Sequence, residues 1–158
     1  LATKGDVSID VQGYMRYVKG EQVYATEWND KLRLLKHTAI LKVNEWECQT
    51  LTGITDPFVA AEQIHAWGVR EVIITLGGGG SIIYAEGKFY ETPAYAPRKL
   101  GDATGCGDTY SAGYLYARAK GMSYEESGRF AAAMCTLKLE HTGPFDRTID
   151  DVHDVLSR

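Results

Sequence analysis

Residues 101–121 read GDATGCGDTYSAGYLYARAKG, a glycine-rich turn that runs straight into an amphipathic helical stretch. Backbone N–H groups at a helix start point outward without intrahelical partners and carry the positive end of the helix dipole, so they attract anions. Gly105 and Gly107 let a large anion come close to the backbone. Asp108 is out of place in a turn that only binds anions, because its carboxylate repels a phosphate. It makes sense where the amides of Gly105, Cys106, Gly107 and Asp108 hold a phosphoryl group while Asp108 takes a proton from an attacking hydroxyl. The bland alternative is a βα turn in which Asp108 is no more than a helix-start residue. The spacing is neither a P-loop nor a GxGxxG fingerprint, since no Gly-Lys-Ser/Thr follows.

Outward from this turn, helix and strand signals alternate. Val7–Asp10 reads as a short strand ending in an acid, residues 13–27 as polar and irregular chain, and residues 28–37 as a helix with Trp28, Leu32, Leu34 and Leu35 on one stripe. The run 39–43 has the continuous apolar character of a buried parallel strand. Asn44 opens a helix that closes near Gly53, and Asp56-Pro57 opens another that closes at Gly68. Residues 72–76 form a β-branched strand. After the turn 77–80, residues 81–85 and 88–91 form a hairpin across Glu86-Gly87. Ser123 with Glu126 and Thr148 with Asp151 announce two further helix starts. The pattern predicts an α/β fold with a mostly parallel sheet covered by helices, in one domain.

The 158 residues are 44% hydrophobic and 24% charged, with a net charge of −4. The acidic balance argues against a general nucleic-acid or anionic-membrane binder. The tryptophans and tyrosines do not interleave with Lys and Arg as a single-strand platform requires. Cys48, Cys106 and Cys135 lack metal spacing, which fits a reducing, cytoplasmic setting. Cys106, at a helix start, is open to acidification and a minor redox role. His37, His65, His141 and His153 show no ligand spacing. No apolar run approaches a membrane span, and no signal peptide is visible. Two more constellations stand out. Asn44-Glu45-Trp46-Glu47 follows a buried strand and suffices as a helix cap. Thr75-Leu76-Gly77-Gly78-Gly79-Gly80-Ser81 suffices as a hairpin turn.

Taken together, these segments resemble the PfkB/ribokinase family of carbohydrate kinases. GDATGCGDTYSAGY is similar to the family's C-terminal signature at Asp102, Gly105, Gly107, Asp108, Ala112 and Gly113, and departs from it at Ala103 and Cys106. Asn44 and Glu47 match an N-x-x-E motif, and Thr75, Gly77 and Gly80 match a T-x-G-x-x-G stretch. The resemblance implies a ribokinase-like three-layer α/β/α domain, Asp108 as general base, and an anion hole at Gly105, Cys106 and Gly107. It implies Mg2+ held through water and phosphate by Asn44 and Glu47, and ATP along Thr75, Gly77, Gly80 and the loop at Gly143. It places a monovalent cation such as K+ at Asp102 and Thr104. The expected reaction is γ-phosphoryl transfer from ATP to a sugar-like alcohol; a nucleoside or pyridoxal-type acceptor and a non-catalytic nucleotide-binding module are the alternatives. The match runs from about Val7 to Phe145. Residues 1–158 thus correspond to the nucleotide-binding, catalytic C-terminal half. The family's substrate-binding and lid part, through which a homodimer would form, has no counterpart, and Leu1 in place of Met fits a chain whose natural start lies further upstream.

Overall fold

The computed structural model describes residues 5–158. They fall into two compact units: one comprises the chain up to Leu76 together with Ile82–Phe89, the other Gly77–Ser81 together with Tyr90–Arg158.

The first unit is built on a sheet. Strand β1 (Ser8–Asp10) is followed by a 3-10 turn at Gln12–Met15 and the small hairpin of β2 (Arg16–Lys19) and β3 (Gln22–Ala25). Then come α1 (Lys31–Leu35), β4 (Ile40–Asn44), α2 (Glu45–Thr52), α3 (Pro57–Ala66) and β5 (Glu71–Thr75). Strands β6 (Ser81–Ala85) and β7 (Lys88–Thr92) complete a five-stranded sheet of order β1-β4-β5-β6-β7. The first residue of β6 and the last three of β7 count with the second unit.

Strands β1, β4 and β5 are parallel. The first four residues of both β4 and β5 are buried, as their near-continuous apolar sequence predicts. Leu41, Val43, Val72 and Ile74 form one core with Ile64 from α3 and Leu51 from α2. Glu86 and Gly87 both take positive φ (53° and 72°), the geometry of a two-residue hairpin turn of type I′.

Two sequence expectations need correction here. The chain at 13–27 is not irregular: Gly20, at φ +66°, turns β2 into β3, and Tyr17 stacks on Tyr24 at 5.2 Å. All eight strand residues are exposed, so no buried alternation marks the hairpin. The helix at 28–37 shrinks to Lys31–Leu35. Trp28 and Leu35 are buried, but Leu32 is 54% exposed and off the buried stripe.

The second unit is helical: α4 (Cys106–Ala119), α5 (Tyr124–Leu139) and α6 (Ile149–Leu156). The caps at Ser123 and Thr148 form as the sequence predicts, each with the reciprocal pair of bonds. Helices α4 and α5 pack backbone to backbone where Gly113 meets Ala131; a Cβ on Gly113 would lie 3.1 Å from Ala131 Cα and 2.8 Å from Met134 Sδ. Ala117, Phe130, Ala133, Leu137, Val152 and Val155 make the shared core of the three helices. Among the described residues, no helix is long and apolar enough to cross a membrane.

Gly113→Val therefore overpacks the α4–α5 seam. It should cost about 1–3 kcal/mol of stability, read as a lower urea midpoint with an unchanged m-value.

Candidate active site

In the first unit, β4 and β5 end side by side, with Asn44 in register with Thr75. Ligands of parallel α/β sheets bind at this carboxyl edge. Asn44 is also the cap of α2. Its Oδ1 accepts from the Glu47 amide at 2.8 Å, and Glu47 Oε2 accepts from the Asn44 amide at 2.9 Å. Both the capping reading and the placement at a sheet edge are thus realised. Glu47 is 1% exposed, and its second oxygen faces Arg16 Nη2 at 3.4 Å. Arg16 lies with its guanidinium 5.9 Å from the Trp46 ring. One strand over, Asp10 at the end of β1 pairs with the buried Lys42 Nζ at 2.8 Å and accepts from Gln12 Nε2 at 3.1 Å.

These donors suit a hard cation. A carboxylate has about four lone-pair directions, and the cap and Arg16 leave some open. Mg2+ prefers oxygen and keeps several waters, so it needs few protein ligands when phosphate supplies the rest. Among the described residues, no cluster of three His, Cys, Asp or Glu side chains forms a protein-only cage.

In the second unit, the turn before α4 is ordered by its own side chains. Asp102 Oδ1 accepts from the Thr104 amide (2.9 Å) and from Thr104 Oγ1 (2.8 Å). Those bonds hold the Asp102 carboxyl below the usual carboxylate range. Gly105 then takes φ +82° and caps α4 without any side-chain bond. The Cys106 amide donates to Ala103 O at 3.1 Å, while the Gly107 amide finds no acceptor among the described residues. Asp108 sits in the first helical turn and is exposed.

The expectation of an acidified Cys106 does not hold. Burial pushes its thiol up, and this outweighs the opposing Lys138 charge. Cys135 Sγ donates to Cys106 O at 3.1 Å. Burial likewise lifts Cys48, to about 12.

The glycine run divides by role. Gly80 is buried at φ +88°, and a Cβ there would lie 2.0 Å from Thr92 O, so the fold alone demands glycine. Gly77 (φ +56°) is exposed, with open space around its Cβ position. Beneath the run, Ser81 Oγ bonds Thr92 Oγ1 (3.1 Å) and the buried Tyr110 hydroxyl (2.7 Å). Gly143, at φ +103°, lies in the exposed turn between α5 and α6.

Each unit thus assembles its own share of the expected residues: Asn44, Glu47 and Thr75 in the first, and Asp102 and Thr104–Asp108 in the second. Sequence reasoning passed over Arg16 and Lys138. Arg16 is a lone charge whose partner is distant in the chain, and Lys138 is marked only by interrupting the apolar run 130–139.

Comparison with known proteins bears on both units. Residues 20–149 match the pfkB family of carbohydrate kinases, and the chain belongs to that family. It is 36% identical to the ribokinase of Arabidopsis thaliana over 116 residues, 70% of this chain and 31% of the relative. It is 33% identical to the cytidine kinase of Thermococcus kodakarensis over 123 residues, 76% of this chain and 44% of the relative. Among solved structures, Arabidopsis ribokinase complexed with ribose and ATP superposes with TM-score 0.81 and 31% identity over 97% of this chain and 48% of that one. A pyrophosphate-dependent kinase of the ribokinase family, complexed with a pyrophosphate analogue and myo-inositol, gives TM-score 0.83 and 32% identity over 95% and 53%. The fold is therefore a ribokinase-like α/β fold with a mostly parallel sheet, and this chain spans half or less of the curated relatives it matches.

The two glycines of the 77–80 run should respond differently. Gly80→Ala is expected to lose about 3 kcal/mol or more through overpacking and left-handed strain, whereas Gly77→Ala should lose about 1 kcal/mol from strain alone. Urea unfolding of both variants checks the split; equal losses would contradict it.

Proposed function

We propose that this chain carries the phosphoryl-transfer centre of an ATP-dependent kinase whose acceptor is the hydroxyl of a sugar or sugar-like molecule. The observation that carries the reading is the start of α4. A left-handed glycine opens the helix, the Gly107 amide has no acceptor among the described residues, and an exposed carboxylate stands in the same turn.

In this mechanism Asp108 accepts the acceptor hydroxyl's proton as the oxygen attacks the γ-phosphorus. The backbone at Gly105, Cys106 and Gly107 faces the charge that develops on the transferred group. Each such donor is worth about 3–4 kcal/mol of transition-state stabilisation. Asn44 and Glu47 would hold Mg2+ through water and phosphate, where it neutralises phosphate charge. Thr75 of the first unit, and Gly77, Gly80 and Gly143 of the second, would each meet the nucleotide. Positioning and electrostatics then supply the catalysis, as phosphoryl transfer requires.

A nucleoside acceptor is the second reading of the same centre. The Thermococcus cytidine kinase matches about as well as the Arabidopsis ribokinase, so similarity to them does not choose between acceptors. A non-catalytic nucleotide-binding module is disfavoured by Asp108, which such a module does not need.

Two measurements test the reading. Phosphoryl transfer by the full chain is assayed with ribose, cytidine and myo-inositol as acceptors. Asp108→Asn should lower kcat by roughly 10²–10⁴ while ATP binding persists; a variant with near wild-type kcat rejects the base assignment. Glu47→Gln keeps the shape of the cap but removes a charge. It should raise the Mg2+ concentration needed for half-maximal rate, whereas a purely structural Glu47 would shift the urea midpoint and leave that requirement alone.

A further inference from the structure

Lys138 lies near the end of α5 in an otherwise apolar stretch, and it is 94% buried, with 6% exposed. Its Cε stands 3.5 Å from the position a Cβ would take on Gly105, the residue that opens α4. Its Nζ donates to His141 O at 3.3 Å. An ammonium has three donors, and among the described residues this carbonyl is the acceptor found for it, with no carboxylate within 4.0 Å. The arrangement is pinned from a second side. Gly101 N–H donates to Leu139 O at 2.7 Å, and a Cβ on Gly101 would lie 2.7 Å from that same oxygen. The turn 101–105 is thereby fixed on the end of α5.

A buried ammonium is costly unless paired. Here it stands beside the positive end of a 14-residue helix, so two like-signed features face each other. The pair is stable where an anion joins them. A second cation would add to the repulsion, and Asp102 and Thr104, the residues expected to hold one, already bond each other through Asp102 Oδ1. The fixed ammonium of Lys138 thus already supplies the positive charge that an exchangeable monovalent ion would bring to the turn.

Building on the kinase reading above, we propose that Lys138 contacts the phosphoryl donor, its ammonium holding the donor's diphosphate at the start of α4 in the role expected of a monovalent cation. Nucleoside triphosphate and inorganic pyrophosphate share that diphosphate chemistry.

The test is calorimetric titration of the full chain with Mg–ATP and with Mg–pyrophosphate, in buffers whose monovalent cation is tetramethylammonium, K+ or NH4+. Wild type should bind each donor with affinities that agree within about twofold across buffers. K138M should weaken binding of both donors by about tenfold or more, the loss of one charge-assisted contact. K138R should retain most of the affinity, and NH4+ should restore part of what K138M loses. K138Q replaces K138M should the latter shift the urea midpoint downward. Unchanged donor affinity in a folded K138M overturns the proposal, as does a wild type that K+ tightens by more than about tenfold. A loss confined to one donor overturns the shared-diphosphate assignment. A wild type that binds neither donor in any buffer removes the kinase reading itself, and that failure shows without any variant.

Discussion

The second unit depends on one left-handed residue. Gly105, at φ +82°, ends the turn begun at Gly101 and starts α4. The space at its Cβ position would accept a side chain, since the nearest atom is Lys138 Cε at 3.5 Å. The constraint is the backbone angle, which side-chain-bearing residues adopt only with strain. A helix beginning one residue later would turn every following side chain by roughly 100°, because α-helices have 3.6 residues per turn. Asp108 would then leave the helix mouth, and Gly113 would leave the seam against Ala131. The chemistry proposed for the turn and the packing of α4 on α5 thus have a single geometric origin.

Three capping boxes recur in the chain, and their differences are instructive. Ser123 with Glu126 and Thr148 with Asp151 close their helix starts at the surface, where their hydrogen bonds hold both carboxyls below the usual range. Asn44 with Glu47 makes the same reciprocal bonds, yet Glu47 is buried and shared with Arg16. Capping does not require burial, as the other two boxes demonstrate. Burying a carboxylate carries a desolvation cost that a cap alone does not offset. Arg16 offsets part of that cost; what sets Glu47 apart from the other two cap acids as a candidate for work on a cation is burial together with a place at the carboxyl edge of the sheet.

Much of this was legible in the sequence because it is local. The apolar runs of β4 and β5, the caps at Asn44, Asp56, Ser123 and Thr148, and the Glu86-Gly87 turn each depend on residues within a few positions. What stayed hidden is non-local or exposed. The β2–β3 hairpin buries none of its strand residues and leaves no periodic signal. Arg16 reaches Glu47 across 31 positions. Lys138 meets Gly105 only because α5 returns along α4. The acidity expected of Cys106 failed for a related reason: a helix start lowers a thiol's pKa, but the burial that tertiary packing imposes has the opposite sign and wins.

The glycines that suggested a nucleotide site turn out to serve the fold to a large extent. Gly80 makes room for the Thr92 carbonyl, Gly101 for the Leu139 carbonyl and Gly113 for Ala131, while Gly105 supplies a backbone angle. Gly77 has open space around it, and Gly107 offers an amide without an acceptor among the described residues. Backbone amides recognise phosphate as an anion and nothing more specific. They read a nucleoside triphosphate and an inorganic diphosphate alike. Under the kinase reading, discrimination between donors therefore has to come from side chains that differ in charge and reach. Lys138, behind Gly105, would meet the diphosphate that both donors share, so it would add affinity without choosing between them.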